Sequence, residues 1–274
     1  TYRLGYHGRT HLRPMDTIGF AGGTTLDVGL DLEALLVLTG YGRKDGHHLV
    51  GVQIQDMKRA DYVLNGRPIF PDAPTTQAQL TTYEAIVQYT TAGEVVDVRF
   101  APESQAIYRN LIQMFLAELH WTNDGDESEW SVEERTGHGV AETNYVVNRA
   151  PTNVVNLSRE RVEYTRLNAM DISTLPNPLS STGDTRLTFT PKEGLSQLMA
   201  TEHLMARDEK GVKIVGIEAQ MTMVRIESTR TTVDPTQLQT RLNASERVRP
   251  GQVSTSESAK RRALEQQAGG LTIE

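Results

Sequence analysis

Paired histidines, clustered carboxylates and glycine-flanked turns are the patterns in this sequence that could bind a metal, move a proton or cradle a phosphate. His47-His48 fall in a hairpin turn, where neighbouring side chains point apart, and are read as turn residues rather than ligands. Asp124-Gly125-Asp126-Glu127 looks like a fragment of a calcium loop. The alternating ligand positions, the glycine and the closing glutamate of such a loop do not line up, which leaves a solvated acidic turn. Gly137-His138-Gly139 is too short for a phosphate loop and does not run from a strand into a helix, so it reads as a hairpin turn. Glu133 and Glu134 could work as acid and base with a carboxylate elsewhere in space, yet nothing singles out that partner. No G-x-S-x-G elbow, H-E-x-x-H helix or GxxxxGK loop occurs. With no cysteine there is no thiol nucleophile, zinc ribbon or disulfide framework. The expectation is a protein that is not an enzyme and uses no cofactor and no metal. Trp121 and Trp130 flank the acidic turn, where they could mark a binding surface, although such residues more often anchor a core beside a turn. Arg159, Arg161 and Arg166 lie on one predicted strand and are read as part of a solvated strand face.

The 274 residues, 38% hydrophobic and 23% charged, suffice for one large domain or two modest ones. Net charge is −7, and the segment from Arg230 onward carries more basic than acidic residues, so the body is more negative than the whole. Nucleic-acid binding needs a clustered basic face, which this body lacks. The longest apolar run, residues 34–38, is strand-sized, so no helix spans a membrane. The chain begins at Thr1, which reads as a piece processed or excised from a longer protein.

The elements that must position these residues are mostly strands. Residues 24–66 read as a long hairpin: Leu26, Val28, Leu30 and Leu32 alternate with polar or small residues, and Val50, Val52 and Ile54 alternate on the partner run. Gly42-Arg43-Lys44-Asp45-Gly46 supplies its turn. A second hairpin covers 83–100 around Ile86, Tyr89, Val96, Val98 and Phe100. The prolines between 68 and 74 mark an exposed loop or an edge. At 104–119 the period changes, and Ile107, Leu111, Phe115 and Leu119 form one stripe at helical spacing, widened by Tyr108, Ile112 and Leu116. A helix with so broad an apolar face must pack against or inside a sheet, and these four positions are expected to form its core. Strands resume at 129–134, 142–147, 154–166, 186–190, 198–207 and 212–227, with 175–185 a long mobile loop. The expected fold is mostly β (α+β): an antiparallel barrel or strongly coiled sheet enclosing one central helix, over residues 1–229. Residues 230–274 read as a short polar helical tail, with segments at 235–243 and 254–268 that begin or dock on another domain.

The order of these elements carries short motifs. Phe100-Ala101-Pro102-Glu103-Ser104-Gln105 leads into the helix bearing Ile107, Asn110, Leu111 and Phe115, followed by Trp130-Ser131-Val132-Glu133-Glu134 and Gly139-Val140-Ala141-Glu142-Thr143-Asn144-Tyr145. This order resembles the amino-terminal, vitellogenin-type β-barrel of the large lipid transfer protein family. Ala141 stands where family members carry a cysteine, so the chain looks like a divergent, cysteine-free relative.

The resemblance implies a barrel plugged by the helix at 104–119, a tail at the threshold of a helical domain, and a lipid cavity largely in segments downstream. The implied role is a non-catalytic amino-terminal interaction module of a lipid-transfer or lipoprotein-like protein. It would contact partner proteins or the rest of a lipid-carrying chain, meet lipid only through the larger assembly, and be secreted, periplasmic or at the cell surface. The alternative reading is a structural β-rich subunit of a larger particle or surface assembly.

Overall fold

Period-two alternation of apolar residues recurs along most of this chain, and each such run forms a strand with one face turned to the core. The computed structural model describes residues 1–13, 25–69, 72–121, 127–136, 138–150, 154–167, 172–190, 194–230 and 232–250. The acidic turn at 124–126, Gly137 and the tail segment expected at 254–268 lie outside the described residues. Strands β1 (Tyr2–Leu12), β2 (Leu26–Lys44), β3 (His47–Leu64), β4 (Arg67–Pro68), β5 (Glu84–Tyr89) and β6 (Val95–Phe100) come first. After the central helix follow β7 (Glu129–Arg135), β8 (Gly139–Arg149), β9 (Val155–Leu167), β10 (Ser180–Thr190), β11 (Gly194–Arg207), β12 (Lys213–Arg225) and β13 (Glu246–Val248). Helices are α1 (Ala73–Thr81), α2 (Ala106–Leu119) and α3 (Pro235–Ala244).

All strands join one antiparallel sheet in the order β13-β6-β5-β3-β2-β1-β12-β11-β10-β9-β8-β7, with β4 paired to β3. Two-residue turns set register where Asp45-Gly46 and Asn65-Gly66 take up positive φ, the geometry that matches strand twist. In the long β2–β3 hairpin the pairing slips between Glu33 and Leu35, opposite Asp56 at φ 41°, a bulge of the kind that bends a sheet.

The bent sheet wraps around α2. Tyr108, Ile112 and Phe115 are fully buried, Leu111, Leu116 and Leu119 nearly so, and Ile107 is half-buried. One continuous core joins them to Leu4, Leu36, Val52 and Phe100 on one side of the sheet and to Tyr145, Leu157, Leu187 and Leu198 on the other. Tyr108 donates to the carbonyl of Tyr83 at 3.0 Å, and Tyr6 packs tilted against Phe115. Of the two expected forms, the coiled sheet is the one observed: β7 and β13 are its two ends and do not pair, so the barrel is not closed.

Several boundaries differ from expectation. β1, not foreseen, sits mid-sheet between β2 and β12. The 68–74 segment contributes the two-residue edge strand β4 and then opens α1, where the Asp72 carboxylate accepts from the Thr75 N–H at 2.7 Å and a proline occupies the first turn. The 175–185 loop is shorter, since β10 starts at Ser180. Its inward positions Gly183 and Thr185 are small or polar because Arg161 and Arg159 lie beside them, which hides the apolar alternation. α3 lays Leu242 and Leu238 on Leu49 and Ile86, and β13 pairs with β6.

Leu111→Ala should cost about 2–5 kcal/mol in chemical denaturation, the cost of a cavity inside a wrapped sheet. A loss below roughly 0.5 kcal/mol would place the helix on a surface.

Candidate functional site

Because the sheet stops short of closure, a cleft of about 1020 Å³ remains over α2. Its floor is a stripe of α2 at helical spacing, Asn110, Gln113, Met114 and Ala117, and its walls are β7 and the β6–β13 end of the sheet. Val132 to Arg135 line it consecutively. Successive strand residues point to opposite faces, so it is the backbone edge of β7 that borders the cleft. Along β7 only β8 pairs among the described residues, and β13 covers β6 only from Val98 to Phe100. One N–H at the opposite wall is occupied: Val95 donates to His120 Nδ1 at 3.0 Å. Burial lowers the His120 pKa, in keeping with a neutral ring accepting at that nitrogen.

Beneath the β7 wall lies a buried ionic cluster. Arg159 donates to the carbonyls of Ala117 at 3.2 Å and His120 at 2.8 Å, filling acceptors that the end of a buried helix would leave orphaned. Its other nitrogen donates to Glu118 Oε2 at 2.5 Å and to Thr185 at 3.0 Å. Arg161 donates to Glu118 Oε1 at 2.8 Å and lies 3.2 Å from Glu202. Glu134 of β7 accepts from Tyr145, whose ring stacks on Trp130 at 4.9 Å, and its other oxygen faces Arg159 at 3.6 Å. Thr136 receives the N–H groups of His138 and Gly139 at 3.0 Å each and contacts Tyr164, which donates to Glu202. His138 Nε2 stands 3.1 Å from Glu202.

The electrostatics follow from this geometry. Burial pushes the Glu118 carboxyl up, but Arg161 and Arg159 outweigh it and hold it below the usual range. Glu202 is likewise pushed up by burial and pulled well down by Arg161 and His138. Burial disfavours charge on His138, yet the neighbouring Glu202 charge and hydrogen bond raise its pKa above the ordinary imidazole value.

The expected solvated arginine face is corrected here: Arg159 and Arg161 are buried, and only Arg166 is exposed. The two face inward because they continue the phase of buried Leu157, a signal the sequence carries at 157, 159 and 161. The aromatic pair serves as anchors, Trp130 stacked on Tyr145 and Trp121 edge-on to Phe189 at 4.7 Å. His47 turns its Nδ1 to the Asp45 carbonyl, and no cluster of ligands able to hold a metal occurs among the described residues. Nothing in the sequence marked the cleft stripe, since Asn110, Gln113 and Ala117 are what remains of α2 once its apolar face is assigned.

A stability profile against pH reads this cluster. The raised pKa of His138 means its contribution is complete below about pH 6.5 and is lost as pH rises through the raised value. The depressed Glu118 and Glu202 contribute above about pH 4.5 and lose that contribution as pH falls. Stability should therefore decline on the alkaline side, and His138→Gln should flatten that limb and weaken the acid limb without abolishing it, since Arg161 still holds Glu202 down and both arginines hold Glu118. Superimposable alkaline limbs for the two proteins would contradict the role given to His138.

Neither a protein-family model nor a curated protein matches this sequence. Among solved structures, one of lipovitellin, described by its lipid–protein interactions, superimposes with a TM-score of 0.66 over 94% of this chain at 16% identity. The chain spans 28% of the length of that lipovitellin chain. No helix among the described residues is long and apolar enough to cross a membrane. The wrapped sheet and its enclosed helix thus share the fold of lipovitellin.

Proposed function

We propose that this chain is the non-catalytic amino-terminal interaction module of a lipid-transfer or lipoprotein-like protein, contacting partner proteins or the rest of a lipid-carrying chain. The observation that carries this reading is the cleft over α2, bordered by a strand edge that is unpaired among the described residues, on a fold shared with lipovitellin. Most of the helix is packed into the sheet, and lipid is met through the larger assembly. Residues 1–229 form the module, and 230–274 lead toward a helical domain. The start of that tail is docked on the sheet by Arg109–Glu246 at 2.5 Å and Arg247–Asp97 at 3.0 Å. The protein is assigned to a secreted, periplasmic or cell-surface location by the same analogy of fold.

Native mass spectrometry with lipid extraction tests this on the full-length protein from its own source and on this 274-residue chain alone. Lipid bound to the full-length protein and absent from the isolated chain is the expected result. A lipid-free protein in a fixed oligomer would replace this reading with that of a structural subunit of a larger assembly.

A further inference from the structure

We infer that the edge of β7, which pairs with no strand among the described residues, is a strand-addition site for an extended segment of a partner polypeptide, an inference that rests on the reading of this chain as an interaction module and names the chemistry of its partner. Every second residue along the edge presents an N–H and a C=O that pair in the antiparallel sense with any extended chain, so the edge supplies affinity without sequence. Sequence preference then comes from side chains directly opposite one another.

The residues of β7 dictate that preference. Trp130, Val132 and Glu134 point inward, with Val132 bordering the cleft above Met114 and Ala117 of α2, so inward positions of the segment should be apolar. The outward row is Glu129, Ser131, Glu133 and Arg135, all exposed. No carboxylate pairs with Arg135 among the described residues, and Glu133 has only the Thr165 hydroxyl at 3.2 Å. In register, Glu133 also stands opposite Glu142, and Glu142 opposite Glu163, an outward like-charge row that a cation at the edge would relieve. Read antiparallel from Arg135 to Glu129, the complementary segment is acidic, apolar, basic, apolar, small polar, apolar, basic. The cleft, at about 1020 Å³, lies at the upper end of the range of small-molecule sites and leaves space for such a segment beside β7.

The test uses the heptapeptide Glu-Val-Lys-Val-Thr-Val-Lys, its charge-inverted counterpart Lys-Val-Glu-Val-Thr-Val-Glu, and the first peptide with its alternate amides N-methylated on the pairing side. Binding to the whole chain is read by fluorescence anisotropy, and the β7 amides by hydrogen exchange. The first peptide should bind about tenfold more tightly than the inverted one, and Glu129→Lys/Glu133→Lys, with Arg135→Glu, should reverse that order. The β7 amides should gain protection, and N-methylation should abolish binding. Equal binding of the N-methylated peptide would overturn the proposal, because charge alone would then suffice. It is equally overturned if the β7 amides are protected before peptide is added, whether by another part of this chain or by a second copy revealed as a concentration-dependent dimer. Lipid on the full-length protein with no peptide binding here would remove only the strand-addition site. Selective peptide binding by a lipid-free protein would remove only the lipid-carrier reading.

Discussion

Glu118, at the end of α2, is gripped by two arginines from one strand, and the rest of the structure is arranged around that contact. A helix buried inside a sheet ends with carbonyls that water cannot reach, and Arg159 supplies the donors. A buried guanidinium in turn needs carboxylates, which α2, β7 and β11 deliver as Glu118, Glu134 and Glu202. Space for these groups comes from β10, whose inward Gly183 and Thr185 replace the bulk that a core strand would carry. The apolar face of α2 packs against strands from both halves of the sheet, and its ionic end adds a tie to β9.

β7, one wall of the cleft, is held from below by Glu134 and by the Trp130–Tyr145 stack, and no strand pairs with its outer edge among the described residues. The opposite wall is braced separately, through His120 on Val95 and through β13 on β6. The two walls, held by separate contacts, leave between them a cleft whose floor is α2.

Much of this was legible in the sequence wherever one face of an element is uniformly apolar. The stripe of Leu111, Phe115 and Leu119 gave α2, and the alternation of Val50, Val52 and Ile54 gave the long hairpin. β1 escaped because glycines and polar residues dilute the alternation of Tyr2, Leu4 and Tyr6, and β10 because its core face accommodates arginines. α1 has almost no amphipathic pattern, and its only signal is Asp72 two residues before Pro74. Burial of Arg159 and Arg161 depends on a carboxylate about forty residues earlier in the chain, a pairing that local patterns do not report. Whether the sheet closes depends on the distance between its two ends, which no local pattern records either.

The most direct test of this account is a double-mutant cycle on Glu118→Ala and Arg159→Ala, followed by chemical denaturation. The account predicts that each single change costs about 3 kcal/mol or more and that the pair couples by more than about 1 kcal/mol. Single losses near zero that add within about 0.5 kcal/mol would show that the sheet holds its helix without this contact.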